Sequence, residues 1–229
     1  MIKRNKILWN PYVGVVIVFF IFIYFAYQGY QKEEITKKED EAIENLEIHI
    51  NVKNFHDDLA TLNDISNGQL IDNQKKALDK RLTEEIAGEL VFSSTGLSLP
   101  IFRGANIETL SLGVASTYYP EAEMGKGNYV LAGYNVKTPN ALLSDANELS
   151  EGEKIILIDS TNKYQYEVSK IGQISNYKQA VQSKENNPFL SLPKEGEKPL
   201  LTLLDFQANN MKKCDVIQCE LVNVEKINK

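Results

Sequence analysis

Residues 200–222 read L-L-T-L-L-D-F-Q-A-N-N-M-K-K-C-D-V-I-Q-C-E-L-V. Two apolar runs of strand composition, 200–204 and 216–222, flank a polar loop, 207–213, that carries two Asn and two Lys. This pattern predicts a strand, a loop and a returning strand.

Working back from this pair, most of the chain reads as short strands. Residues 86–92 (I-A-G-E-L-V-F), 96–102 (G-L-S-L-P-I-F) and 128–135 (N-Y-V-L-A-G-Y-N) are apolar runs bounded by turn residues. Residues 153–159 (E-K-I-I-L-I-D) form another such run, and in 163–171 Tyr164, Tyr166 and Val168 alternate with polar neighbours, the period of a half-buried strand. Helix signals are few and short. Residues 72–85 combine good helix formers with Ala77, Leu78 and Leu82 on one face. Residues 106–113 open on Asn106, an N-cap residue type. A long polar connection, 174–199, leads into the opening pair.

The N-terminus is different. Residues 12–27 (Y-V-G-V-V-I-V-F-F-I-F-I-Y-F-A-Y) carry no charge, and Ile7, Leu8 and Trp9 precede them, so the apolar region approaches the ~20 residues a helix needs to cross a bilayer. Trp9, Tyr12, Tyr24, Tyr27 and Tyr30 sit near its two ends, as in an interfacial aromatic belt. No A-x-A-like cleavage site follows, which predicts an uncleaved signal anchor. Basic residues do not settle its orientation, because Lys3, Arg4 and Lys6 on one side face Lys32, Lys37 and Lys38 on the other. The expected organisation is a tip and transmembrane anchor over 1–30, a polar and partly helical stalk over 31–73, and a β-rich domain over 74–229.

Net charge is −6, with 31 acidic against 25 basic residues, which argues against a nucleic-acid partner. Cys214 and Cys219, on one strand, would stand ~17 Å apart and face opposite sides of the sheet, so they are expected as free thiols. Both histidines, His49 and His56, fall in the expected stalk, where solvated surface side chains are the better reading. The loop 116–128 carries Glu121 and Glu123. Two exposed carboxylates fall well short of the six or so oxygens calcium takes, so no metal and no cofactor is expected.

The segments together resemble the sortases, class A-like members in particular. These are cysteine transpeptidases of Gram-positive cell surfaces. Leu99, Pro100, Ile101, Phe102 and Gly104 keep the family's L-P-I-y-x-G opening pattern. Leu131, Ala132 and Gly133 match the strand that ends in the catalytic His, and Thr202, Leu203 and Leu204 match the start of T-L-x-T-C. The resemblance covers roughly residues 86–222 and implies a closed β-barrel of about eight strands with short helices, one of them over 142–149. It also implies a cytoplasmic N-terminus, an extracellular domain, and a groove that takes an L-P-x-T-G sorting signal.

At the reactive positions the chain departs from the pattern. Tyr134 stands at the His position, Asp205 and Phe206 stand for Thr and the nucleophilic Cys, and Cys214 stands for the Arg. Phe206 has no nucleophilic atom. Tyr134, with an ordinary pKa of about 10, is a poor general base at neutral pH, and Cys214 offers one weak donor in place of a guanidinium fork. The expectation is a membrane-anchored pseudoenzyme that binds and does not transpeptidate. Its expected groove is lined by Ala132, Tyr134, Leu204, Asp205, Phe206 and Cys214. Expected partners are the membrane and an L-P-x-T-G-like peptide, an active sortase or another surface protein. The alternative is a working cysteine transpeptidase or hydrolase with its chemistry elsewhere, for example on Cys214.

Overall fold

The computed structural model describes residues 57–82, 86–182 and 187–227. The expected transmembrane segment and both histidines lie outside the described residues. Among the described residues no helix is long and apolar enough to cross a bilayer.

Eight strands form a closed barrel. They are β1 (Ile86–Phe92), β2 (Ser98–Arg103), β3 (Val114–Ser116), β4 (Asn128–Asn135), β5 (Lys154–Ile158), β6 (Asn162–Ile174), β7 (Leu200–Gln207) and β8 (Cys214–Lys226). Around the barrel their order is β1-β2-β3-β4-β7-β8-β6-β5, with β5 returning to β1. The pairs β2–β3 and β4–β7 are parallel and the other pairs antiparallel. The helices are α1 (Asn67–Asp79), α2 (Ile107–Leu112) and α3 (Tyr177–Gln182). The mostly-β barrel that the resemblance implied is the architecture observed.

Strand alternation divides the apolar side chains between two cores. The barrel interior holds Leu90, Leu99, Tyr129, Leu131, Leu201, Leu203 and Cys219, among others. A second cluster lies on the outer face of β2, β3, β4, β7 and β8, and contains Phe102, Ala115, Ala132, Tyr134, Phe206 and Cys214. Every residue of β4 is buried, because one face looks into the barrel and the other is covered. A parallel strand covered on both faces reads as a continuous apolar run, which is how 128–135 reads.

Several boundaries differ from expectation for local reasons. Helix α1 begins at Asn67, five residues before the anticipated start, because Ser66 and Gln69 form a reciprocal capping box. It ends once Arg81 adopts φ 56°, incompatible with a continuing helix. Asn106 caps α2 as anticipated, accepting from the amides of Glu108 and Thr109 at 3.1 and 3.0 Å. The anticipated helix over 142–149 is reduced to one 3-10 turn, Ala146–Glu148. Strand β3, only three residues long, and α3, inside the polar connection, left too short a pattern to be read. Of the expected stalk, residues 57–73 are described. Its segment 57–66 lies on the barrel, with Leu59 and Ile65 buried in the outer cluster.

Candidate functional site

Three adjacent strands bring Tyr134, Phe206 and Cys214 together. Tyr134 on β4 is the register partner of Phe206 on β7. Phe206 is in turn the register partner of Cys214 on β8. Ala132 and Leu204 pair one step earlier on the same face. All five are fully buried in the outer cluster. Asp205 was expected among them, but alternation turns it to the opposite face, beside Gly133 and Asp215. There its Oδ2 accepts from Asn135 Nδ2 at 3.0 Å, while its buried Oδ1 has no partner among the described residues.

Phe206 is roofed by aromatic rings. The Tyr177 ring of α3 meets it edge-on, with centroids 4.8 Å apart and planes at 85°. Tyr118 packs edge-on against Tyr177 at 6.2 Å. Over this runs the segment 57–66, here called the strap, fixed at both ends. At one end Asp57 Oδ2 accepts from the Thr117 hydroxyl at 2.5 Å and the Tyr118 amide at 3.1 Å, and the Asp58 amide donates to the Ala105 carbonyl at 2.8 Å. At the other, Asp64 Oδ1 accepts from the Met211 amide and the Ile65 amide donates to the Ala208 carbonyl, both at 2.7 Å. The strap thus spans from the end of β3 to the β7–β8 loop. A cleft of about 480 Å³ remains beside it, bordered by Leu62, Asp64, Tyr177, Lys178, Met211 and Lys212.

The electrostatics keep these groups protonated. Burial, reinforced by the carboxyl groups of Asp205 and Asp215, pushes the Cys214 thiol well above its ordinary range, so it is held as the thiol. The thiolate is the nucleophile, and no imidazole exists among the described residues to generate it. Burial also pushes the Tyr134 phenol up, and its hydroxyl has no partner among the described residues. Arg103, at the end of β2, lines a separate cavity of about 390 Å³ with Glu123, Lys126 and Asp159. In the 116–128 loop Glu123 is ion-paired with Lys126. Among the described residues no group of three or more His, Cys, Asp or Glu is arranged to hold a metal.

What persists of the strand patterns has work in the fold. The Thr202 hydroxyl donates to Asn128 Oδ1 at 2.8 Å, and Asn128 Nδ2 donates to the carbonyls of Phe189 and Ser191 at 2.9 and 3.0 Å. Gln218 Nε2 reaches the same Phe189 carbonyl at 3.1 Å. This buried network ties β4, β7 and β8 to the connection that precedes β7. At Gly133 an added Cβ would lie 2.5 Å from Leu143 Cδ1 and 3.1 Å from Val114 Cγ1, so a side chain there would displace Leu143.

The comparisons with known proteins agree with this architecture. Residues 90–204 match the sortase domain model. The chain belongs to the sortase family. It is 30% identical to sortase A of Bacillus anthracis over 149 residues, which cover 65% of this chain and 67% of that protein. With sortase A of Listeria monocytogenes the identity is 29% over 141 residues, covering 61% and 63% respectively. The solved structure of that Listeria sortase A aligns with a TM-score of 0.54 at 26% identity, over 63% of this chain and 92% of that chain. The SrtF sortase of Corynebacterium diphtheriae, at 12% identity and a TM-score of 0.53, over 63% of this chain and 88% of that chain, shares the fold.

Sequence reasoning named Tyr134, Phe206 and Cys214, which the strands bring together, but missed what covers them. Tyr177 stands almost alone as an aromatic in a polar connection, a signal that was available. The strap carried only isolated apolar residues, Leu59, Leu62 and Ile65, and read as stalk. Its contacts fall on Ala105, Thr117, Ala208 and Met211, scattered positions that no local pattern predicts.

Proposed function

We propose that this sortase-family chain is a non-catalytic member, anchored by its N-terminal apolar segment with the barrel outside a Gram-positive cell, that binds an extended segment of a surface-assembly partner. One observation carries the proposal. The positions of nucleophile, general acid/base and oxyanion donor in the family pattern meet on one face of β4, β7 and β8, where they are Phe206, Tyr134 and Cys214. Each role demands a chemical type that these side chains lack. The barrel around them is intact, closed, and packed on both faces, which supports a role that needs the fold without the reaction.

The test is titration of an L-P-x-T-G peptide into the full chain, with product analysis in the presence and absence of an amine acceptor. No cleaved or amine-linked product is expected at any concentration. Turnover that disappears in Cys214→Ala would establish the active-enzyme alternative and end this proposal.

A further inference from the structure

We propose that the barrel mouth farthest from Tyr134, Phe206 and Cys214 binds a small zwitterion, an amino acid or dipeptide with a free carboxylate and a free ammonium group. The site is independent of the non-catalytic reading, because it lies at the other end of the same strands. Tyr134 stands near the end of β4 and Tyr129 near its start, five residues or about 17 Å away. The alternation that turns Leu99 and Ile101 into the barrel carries Arg103, the last residue of β2, inward over the open end. There it borders the cavity of about 390 Å³ together with Tyr129, Tyr164 and Asp159, and with Glu123 and Lys126 of the β3–β4 loop. Mouths of β-barrels are a recurrent place for small-molecule sites, and a few convergent polar groups set what such a site accepts.

The charged groups at this mouth differ in how far they are satisfied. Glu123 and Lys126 are ion-paired with each other. Asp159 Oδ1 is full, since it accepts from the Thr161 amide, the Thr161 hydroxyl and the Asn162 amide at 2.7, 2.9 and 2.7 Å. Asp159 Oδ2 accepts only from the Tyr164 hydroxyl, at 2.9 Å, and has a lone pair to spare. Arg103 makes no hydrogen bond and no ion pair among the described residues, so its planar fork of donors is uncommitted. Although opposite in charge, Arg103 and Asp159 do not pair with each other, yet both act on one buried hydroxyl between them. Burial pushes the Tyr129 phenol up to about 12, while Arg103 pulls it down and Asp159 pushes it up. A simple anion would satisfy Arg103 and be repelled by Asp159, and a simple cation the reverse. A zwitterion satisfies both, with its carboxylate in the Arg103 fork and its ammonium donating to Asp159 Oδ2.

The experiment titrates alanine and alanylalanine separately into the full chain in mild detergent, read by calorimetry and by amide NMR shifts. At least one is expected to bind saturably, with shifts at Gly125, Tyr129 and Asn162 and none at Phe206. Acetylating the amine of that probe, or amidating its carboxylate, is expected to weaken binding at least about tenfold, as the loss of a charged hydrogen bond does. Arg103→Gln, which removes no hydrogen bond of the fold, is expected to weaken the unblocked probe at least about tenfold while Tm holds. Which of the two probes binds more tightly separates an amino-acid site from a dipeptide site.

Absence of saturable binding by both probes overturns the proposal. So does binding that survives the blocking of either end, undiminished binding to folded Arg103→Gln, or shifts confined to the neighbourhood of Phe206. Should Arg103→Gln not fold, the blocked probes on the unmodified chain decide alone.

Discussion

Tyr134 and Phe206 are direct neighbours across the parallel β4–β7 ladder, and nothing reactive lies between them. Phe206 meets Cys214 in the same way across β7 and β8. Three residues that are 72 and 8 positions apart in sequence therefore make one continuous buried patch, in which Phe206 is a packing element of the outer core.

The first consequence concerns the thiols. Cys214 and Cys219 are free, buried and on opposite faces of the sheet, and burial pushes both thiols above their ordinary range. A thiol-reactive disulfide reagent is expected to titrate neither in the native protein and both in denaturant. Fast reaction of Cys214 in the native state would show an open, activated site.

Phe206 and Tyr134 should respond to truncation in opposite senses. Phe206→Ala removes the ring that Tyr177 meets edge-on and leaves a cavity, at a cost of about 3–5 kcal/mol. For a domain of this size that lowers Tm by on the order of 10 °C. Tyr134→Phe removes a buried hydroxyl without a partner among the described residues and keeps the ring, so Tm is expected to hold or to rise, by about 1 kcal/mol of stability. A loss of stability in Tyr134→Phe would mean that the hydroxyl is satisfied in solution, by ordered water for example. Thermal melts of the two variants beside the unmodified chain give the answer.

Thr202 carries a prediction about why the family frame endures here. Thr202→Val keeps the shape but leaves Asn128 Oδ1 without its hydroxyl donor, at a cost of about 1–3 kcal/mol. Because Asn128 also holds the Phe189 and Ser191 carbonyls, proteolysis within 187–199 is expected to quicken. Unchanged stability and unchanged cleavage would return Thr202 to a role outside the fold.

The strands were legible because strand information is local, while their closure into a barrel came from the family resemblance alone. Residues 86–92 and 128–135 end at the observed bounds of β1 and β4, where turn residues interrupt apolar runs. That Tyr134, Phe206 and Cys214 meet follows from the register of the same strands, which fixes which side chains are neighbours. Asp205 was misplaced because reading by motif ignored the period of two, which sends it to the face opposite Phe206. The strap was out of reach for a different reason. Its partners lie 47–147 residues away in the chain, at Ala105, Thr117, Tyr118, Ala208 and Met211, and short-range pattern carries no trace of such pairs.

Asp205 gives a pH dependence whose sign follows from burial. Its carboxyl is pushed from 3.8 up to about 7, first by burial and then by the Asp215 charge, with the Asn135 amide opposing. Between those two values the folded chain retains a proton that the unfolded chain has lost, so stability falls as pH rises. The penalty is absent below about pH 4 and complete above about pH 7, and amounts to on the order of 4 kcal/mol at most. Glu89 on β1, also pushed by burial to about 7, adds a slope of the same sign. Asp205→Asn keeps a partner for Asn135 and carries no charge, so it is expected to match the unmodified chain at pH 4 and exceed it at pH 7.5 in denaturant melts. Equal gains at both pH values would show that the Asp205 carboxyl titrates alike in the folded and unfolded chains, and that the gain does not come from its charge.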